Sequence, residues 1–134
     1  MSISPASFRR RVAYDVIMDF ILPALNPDSG SLLERRAKAE LLPGFAIAIL
    51  SRLTETRVRK AVEQCVSMYR DLNYDLPPLE QGKSIRDWLR ECYMKKSDES
   101  LEDWIKRIAL ATHCIMAFAC LEEAVLPEQV PPLY

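Results

Sequence analysis

The chain predicts an all-α fold, a compact bundle of about five or six helices ending in a long apolar C-terminal helix. Three observations carry this. Apolar residues recur at three- and four-residue steps along most of the chain, which is the period of a helix face. Ser followed three residues later by Glu or Asp recurs just before apolar runs, the mark of a capped helix start. Only three glycines occur, Gly30, Gly44 and Gly82, and no useful stretch alternates apolar with polar residues, so neither tight hairpins nor strands are provided for. At 134 residues the expectation is one helical domain, 1–126, followed by a proline-rich tail, 127–134. A chain of this size needs no disulfide or metal in order to fold.

The elements follow in order. Ser4-Pro5 combines a capping serine with proline at the first helical position. Phe8, Val12, Val16 and Phe20 then step by four, backed by Ala13, Ile17, Ile21 and Ala24. Pro23 is expected to bend or end this helix, and Asn26-Pro27-Asp28-Ser29-Gly30 to form a loop. Ser31-Leu32-Leu33-Glu34 is a capping box for the second helix. Pro43-Gly44 is expected to break it, with a short apolar helix over 45–53 beyond. Thr54 is placed to cap the next helix, whose seam reads Val58, Val62, Cys65, Tyr69 and Leu72. Residues 73–83, with Pro77-Pro78 and Gly82, form the main loop. Ser84-Ile85-Arg86-Asp87 opens a helix that buries Ile85, Trp88, Leu89 and Cys92. Ser100-Leu101-Glu102-Asp103 opens the last one, which is expected to span 101–126, about 39 Å at 1.5 Å per residue. Its middle, 108–121, is apolar nearly all round, with Thr112 and His113 as the polar breaks. Such a helix belongs at the centre of a bundle or against a partner.

The net charge of −1 conceals an asymmetry. Residues 1–60 hold 10 basic and 6 acidic side chains, whereas residues 61–134 hold 8 and 13. A near-zero total provides no global field for nucleic acid, so any such binding must use a local patch. Arginine outnumbers lysine, and its planar fork suits carboxylates and phosphates. No run of 18 uncharged apolar residues is present, so no membrane span is expected. The apolar stretch after Arg9-Arg10-Arg11 is interrupted by Asp15 and Asp19, unlike a secretory leader. Cys65, Cys92, Cys114 and Cys120 all fall on apolar helix faces and read as reduced core residues of a cytoplasmic protein.

Little in the chain suggests catalysis, a metal or a cofactor, and none is expected. His113 and Cys114 are adjacent, and neighbouring positions on a helix point about 100° apart, so the two do not face each other. The cysteines lack Cys-x-x-Cys spacing. Glu102-Asp103 complements a helix dipole, and Glu122-Glu123 lies on a polar face. No phosphate loop, nucleophile elbow or dinucleotide fingerprint appears. Trp88, Tyr93 and Trp104 could stack on bases, but the two tryptophans fall on buried stripes and read better as core. The terminal Pro131-Pro132-Leu133-Tyr134 matches a Pro-Pro-x-Tyr ligand of WW domains, a short motif of low specificity.

The basic clusters are more informative. Arg9, Arg10 and Arg11 open the first helix, where positive charge opposes the dipole. Arg35, Arg36 and Lys38 form a second group, in which Arg36 can pair with Glu40 one turn on. Arg52, Arg57, Arg59 and Lys60 form a third, at a helix start where backbone amides also favour anions. This last segment reads Leu53-Thr54-Glu55-Thr56-Arg57-Val58-Arg59 and continues as a helix through Glu63-Gln64 to Tyr69. It resembles the Leu-Thr-x-Ser/Thr-x-aliphatic-Arg helix entry of the small subunit of type III CRISPR effector complexes. A tryptophan-bearing helix at Trp88, an acidic cap and a long apolar terminal helix extend the resemblance over residues 50–126. The resemblance implies a non-catalytic helical bundle that stacks along a ribonucleoprotein filament and tracks the guide RNA–target duplex by its backbone. Arg57 and Arg59 are the positions it carries over. Arg52, Lys60, Arg9, Arg10 and Arg11 are added on charge alone. The chain departs from an overall basic subunit in its pI of about 5.9. The alternative reading is a protein–protein adaptor or inhibitor that docks through apolar helix surface without nucleic acid.

Overall fold

The computed structural model describes residues 4–121. Their secondary structure is helical throughout, in the order α1 (Pro5–Val16), a π-helical turn (Ile17–Ile21), α2 (Leu22–Leu25), a 3-10 turn (Pro27–Ser29), α3 (Leu32–Leu50), α4 (Glu55–Asp71), α5 (Ile85–Tyr93) and α6 (Leu101–Leu121). The backbone stays right-handed helical through Ile17 and Leu22, so α1, the π turn and α2 make one rod. The bundle therefore has five rods, within the five or six expected. Residues 122–134, which include the Pro-Pro-x-Tyr motif and the expected last turn of α6, lie outside the described residues.

The helix starts follow the predicted caps. Ser4 Oγ accepts from the Ser7 amide at 3.1 Å. Ser31 and Glu34 make both bonds of the capping box, at 3.2 and 3.3 Å. Ser84 and Ser100 accept from the Asp87 and Asp103 amides, each at 3.1 Å. Thr54 differs, because its side chain makes no capping bond. The end of α4 is a Schellman motif. Asn73 takes the left-handed conformation at φ 68°, its amide donates to the Arg70 carbonyl, and the Tyr74 amide donates to the Tyr69 carbonyl, both at 3.0 Å. Asparagine tolerates that conformation better than most residues, which places the chain reversal here.

Three local expectations are corrected. Pro43-Gly44 does not break α3, which runs unbroken through Pro43. Proline in a helix interior costs about 3 kcal/mol. Against that, Ala39, Leu42, Ala46 and Ile49 are all buried, and their steps of three and four form a continuous seam that a break would disrupt. The second correction concerns the first rod. Phe8 is 58% exposed, and the buried positions are Ala13, Val16, Ile21 and Ala24. The five-residue step from Val16 to Ile21 is the π turn, whose wider winding lets one extra residue pass without rotating the seam off the core. The third concerns α4. Its buried stripe is Val58, Val62 and Val66, with Cys65 and Tyr69 on its flank and Leu72 exposed.

Helix α6 is the axis. From Ile105 to Ala119 every residue is buried except Lys106, His113 and Ala117, which are half-buried. Rods α1–α2, α3, α4 and α5 all pack on it. Thr112, fully buried, donates to the Ile108 carbonyl at 2.8 Å and meets the Tyr93 hydroxyl at 2.9 Å, so its hydroxyl is satisfied. No helix among the described residues is long and apolar enough to cross a membrane.

Side-chain contacts give each rod its direction. Arg35, early in α3, donates to Glu102, early in α6, at 2.7 Å, so α3 runs parallel to α6. Arg35 also donates to the Ala24 carbonyl at 2.7 Å, and Cys120 meets the Arg10 carbonyl at 3.8 Å, so the first rod runs antiparallel. Four residues separate the end of α3 from α4, which returns along α6, where Tyr69 meets His113. The start of α5 is pinned to the start of α4, because Glu55 Oε1 accepts from the Ile85 amide at 2.9 Å.

Candidate functional site

These directions bring the starts of α1, α4 and α5 to the end of the bundle where α6 finishes. Helix N-termini carry partial positive charge, so three of them at one end favour anions there. The basic residues singled out by sequence gather at the same end. Arg9 and Arg10 are half-buried and Arg11 is exposed on the first turns of α1. Arg52 is exposed just after α3, with Nη1 donating to the Ala48 carbonyl at 3.0 Å. Arg57 and Lys60 are exposed on the outer face of α4, one turn apart, followed by exposed Gln64 and Ser67. Arg86, exposed on the first turn of α5, joins them. Sequence reasoning missed it, because Arg86 is 26 or more residues from the other clusters in the chain and contacts such as Glu55–Ile85 and Arg59–Lys83 appear in the fold alone.

Arg59 belongs elsewhere. Its Nε donates to Glu63 at 2.7 Å, Nη1 to Glu55 at 3.1 Å and to the Lys83 carbonyl at 2.7 Å, and Nη2 to the Glu80 and Gln81 carbonyls at 2.6 and 3.5 Å. A guanidinium has five N–H donors, so none remains for a phosphate. Arg59 instead clamps the 73–83 loop onto α4. The second basic cluster is likewise used by the fold. Arg35 is buried against Glu102 and Ala24, while Arg36 pairs with Glu40 at 2.7 Å and lies over the Trp104 ring at 5.9 Å.

The aromatic candidates are core. Trp88 is fully buried with its indole N–H on the Pro77 carbonyl at 2.7 Å. Trp104 is half-buried, with its N–H on the Tyr93 carbonyl at 3.0 Å. Trp88 presents no face for a base, and Arg36 lies over the ring of Trp104.

At the opposite end an open cleft of about 460 Å³ lies between the 73–83 loop and α6, lined by Asp75, Lys96, Asp103 and Lys106 among others. Its charges are of mixed sign, and Lys96 faces Asp75 at 3.6 Å. Beneath it Arg107 forms a buried bidentate pair with Glu99 and donates to the Cys92 and Met94 carbonyls at 2.8 and 2.6 Å.

A second cluster was not legible in the sequence. Between α4 and α6 the Tyr69 hydroxyl lies 2.6 Å from His113 Nδ1, with half-buried Cys65 one turn before Tyr69 on α4 and buried Cys114 next to His113 on α6. Burial pushes the Tyr69 phenol well up, so it stays protonated and donates to Nδ1. The nearness of Cys114, and then of His113, holds the Cys65 thiol below its ordinary value against the effect of burial, while Cys114 is pushed up. The other two thiols behave as buried apolar groups, with Cys92 pushed up to about 12 and Cys120 also raised by burial. The adjacency of His113 and Cys114 is uninformative by itself. The residue that unites them, Cys65, comes from another helix.

Comparison with known protein families, curated proteins and solved structures finds no match to this chain.

Proposed function

We propose that this protein is a non-catalytic helical subunit of a ribonucleoprotein, of the type III CRISPR small-subunit kind that residues 53–59 resemble. It contacts the phosphate backbone of RNA with the basic end of the bundle. The observation that carries this reading is the gathering of Arg52, Arg57, Lys60 and Arg86 around the starts of α4 and α5. The Arg9, Arg10 and Arg11 run is at the same end. Such a face offers cations and helix amides, the groups that hold a phosphate backbone. Neighbouring subunits would be met through apolar surface on the first rod, where Tyr14, Met18 and Leu22 are exposed at four-residue steps.

The test is a filter-binding titration of the full chain against mixed-sequence RNA at several salt concentrations. Log affinity is expected to fall linearly with log salt. Each of Arg57→Glu, Lys60→Glu and Arg86→Glu should make the slope shallower, by about 0.7–0.9 for each phosphate that is no longer neutralised. Arg36→Glu, on the side of the fold already paired with Glu40, should leave the slope unchanged. Binding that ignores salt, or charge reversals at the basic end that leave the slope intact, would sink the RNA reading. Undiminished incorporation of the triple variant into its effector complex would count equally against it.

A further inference from the structure

Helix α3 has two apolar faces. One is the buried seam of Ala39, Leu42, Ala46 and Ile49. The other points to solvent. Leu33, Ala37, Leu41, Gly44 and Ala48 step by four, four, three and four, so they share one side of the helix, and all five are exposed. Leu33 is 72% and Leu41 54% exposed, and exposed Ile47 borders them. Residues 41–51 carry no charge, although Leu41, Gly44, Ile47, Ala48 and Ser51 among them face water. A helix that is apolar on both sides belongs between two neighbours, and the bundle supplies only one.

We propose that the outer face of α3 is the interface of a homodimer, in which α3 of a second copy lies antiparallel to it about a two-fold axis at Leu41. Charge selects this occupant. Asp28 and Glu34 are exposed at the start of the face, and Arg52 is exposed just past its end. In the antiparallel pair Arg52 of each copy comes beside the acidic start of the other. Glu34, Arg36, Lys38 and Glu40 all fall in the first half of α3, so each charged half lies along an uncharged one. A parallel pair would instead set every one of these charges beside its own copy. The two helix macrodipoles are opposed as well, which favours the pair.

Side-chain size fits the same axis. Leu33 of one copy faces Ala48 of the other, and Ala37 faces Gly44, so a small residue lies opposite each position away from the axis. Small residues let the helices approach towards the short end of the usual 8–10 Å separation. A two-fold contact of this kind uses the same face in both copies and therefore closes at two. One helix against one helix buries less than the roughly 1,600 Å² of a standard stable complex, so the dimer is a reversible one, with a dissociation constant on the order of 10 μM. The contact does not rest on RNA binding, because α3 presents it on its own outer face.

Sedimentation equilibrium of the full chain, from micromolar concentration to well above the expected constant, tests this. A reversible monomer–dimer equilibrium is expected. Leu41→Glu and Leu41→Lys should each weaken it at least about tenfold, because like charges then meet at the axis. Mixing these two variants should restore a one-to-one heterodimer, since the residue on a two-fold axis meets its own counterpart. Met18→Glu, on the first rod, should leave the equilibrium unchanged. A chain that stays monomeric throughout, a dimer that survives both Leu41 variants, variants that fail to pair on mixing, or a dimer lost in Met18→Glu would each overturn the proposal. The unaltered chain and the mixing result keep the test independent of any one substitution's effect on folding.

Discussion

On α4 the side chains of Arg57 and Arg59 leave the helix about 160° apart, and that angle separates their tasks. Arg57 points away from the buried Val58, Val62 and Val66 stripe. Arg59 lies close enough to it to reach three loop carbonyls and two carboxylates. The shared motif makes the two look equivalent, but in the fold Arg57 is exposed and Arg59 is half-buried. Arg59→Ala should therefore lower stability by about 1–3 kcal/mol, because the loop carbonyls lose their charged donors. Arg57→Ala should stay within about 0.5 kcal/mol of the parent, as exposed substitutions do. Urea unfolding of the two variants measures this. Equal stability for both would mean that the clamp contributes nothing.

At the scale of elements, what was legible depended on whether the signal was local. Four serine caps, the all-helical fold and the buried face of α5 could all be read from the chain, because each is written in residues close together in sequence. Three features could not. The π turn shows only as a five-residue step between Val16 and Ile21, which a template of fours reads through. The continuity of α3 is decided by burial of Ala39, Leu42, Ala46 and Ile49, not by the breaker pair Pro43-Gly44 in its midst. The thiol cluster and the Arg86 contact both join helices far apart in sequence, so no spacing rule could reveal them. The α3 case has a direct consequence. Gly44 sits inside a helix with ordinary backbone angles, and a Cβ built there meets no atom within 4 Å. Gly44→Ala should then stabilise the protein by about 0.5–1 kcal/mol, by lowering the conformational entropy of the unfolded chain. A shift of the urea midpoint upward at constant m-value is the expected result. A decrease would show that α3 is not continuous there in solution.

Across the whole molecule the charge asymmetry of the sequence becomes a difference between two ends. The end where α6 finishes is basic, with Arg52, Arg57, Lys60, Arg86 and the Arg9 to Arg11 run around three helix starts. The end where α6 begins is of mixed sign, and its two innermost cations are locked in buried pairs. Arg35 with Glu102 ties the first rod and α3 to α6. Arg107 with Glu99 ties the end of α5 to the same helix. In both pairs the guanidinium holds the carboxyl below the usual carboxylate range, with hydrogen bonding from the arginine as the leading cause. A depressed folded-state value means that the unfolded chain binds protons more readily than the native one. Stability from these pairs is therefore fully present above the unfolded carboxylate value, about 4.3, and is lost as pH falls through the lower folded values. Urea midpoints should be level from pH 7 to about pH 5 and then fall steeply towards pH 3. The double variant Glu99→Gln, Glu102→Gln should start lower, since it leaves Arg107 and Arg35 buried without their counterions. It should also lose less between pH 5 and pH 3, because the two groups that titrate are gone. If the variant keeps the parent's full acid sensitivity, the carboxylates that govern it lie elsewhere, and these pairs are not what holds the start of α6 against its neighbours.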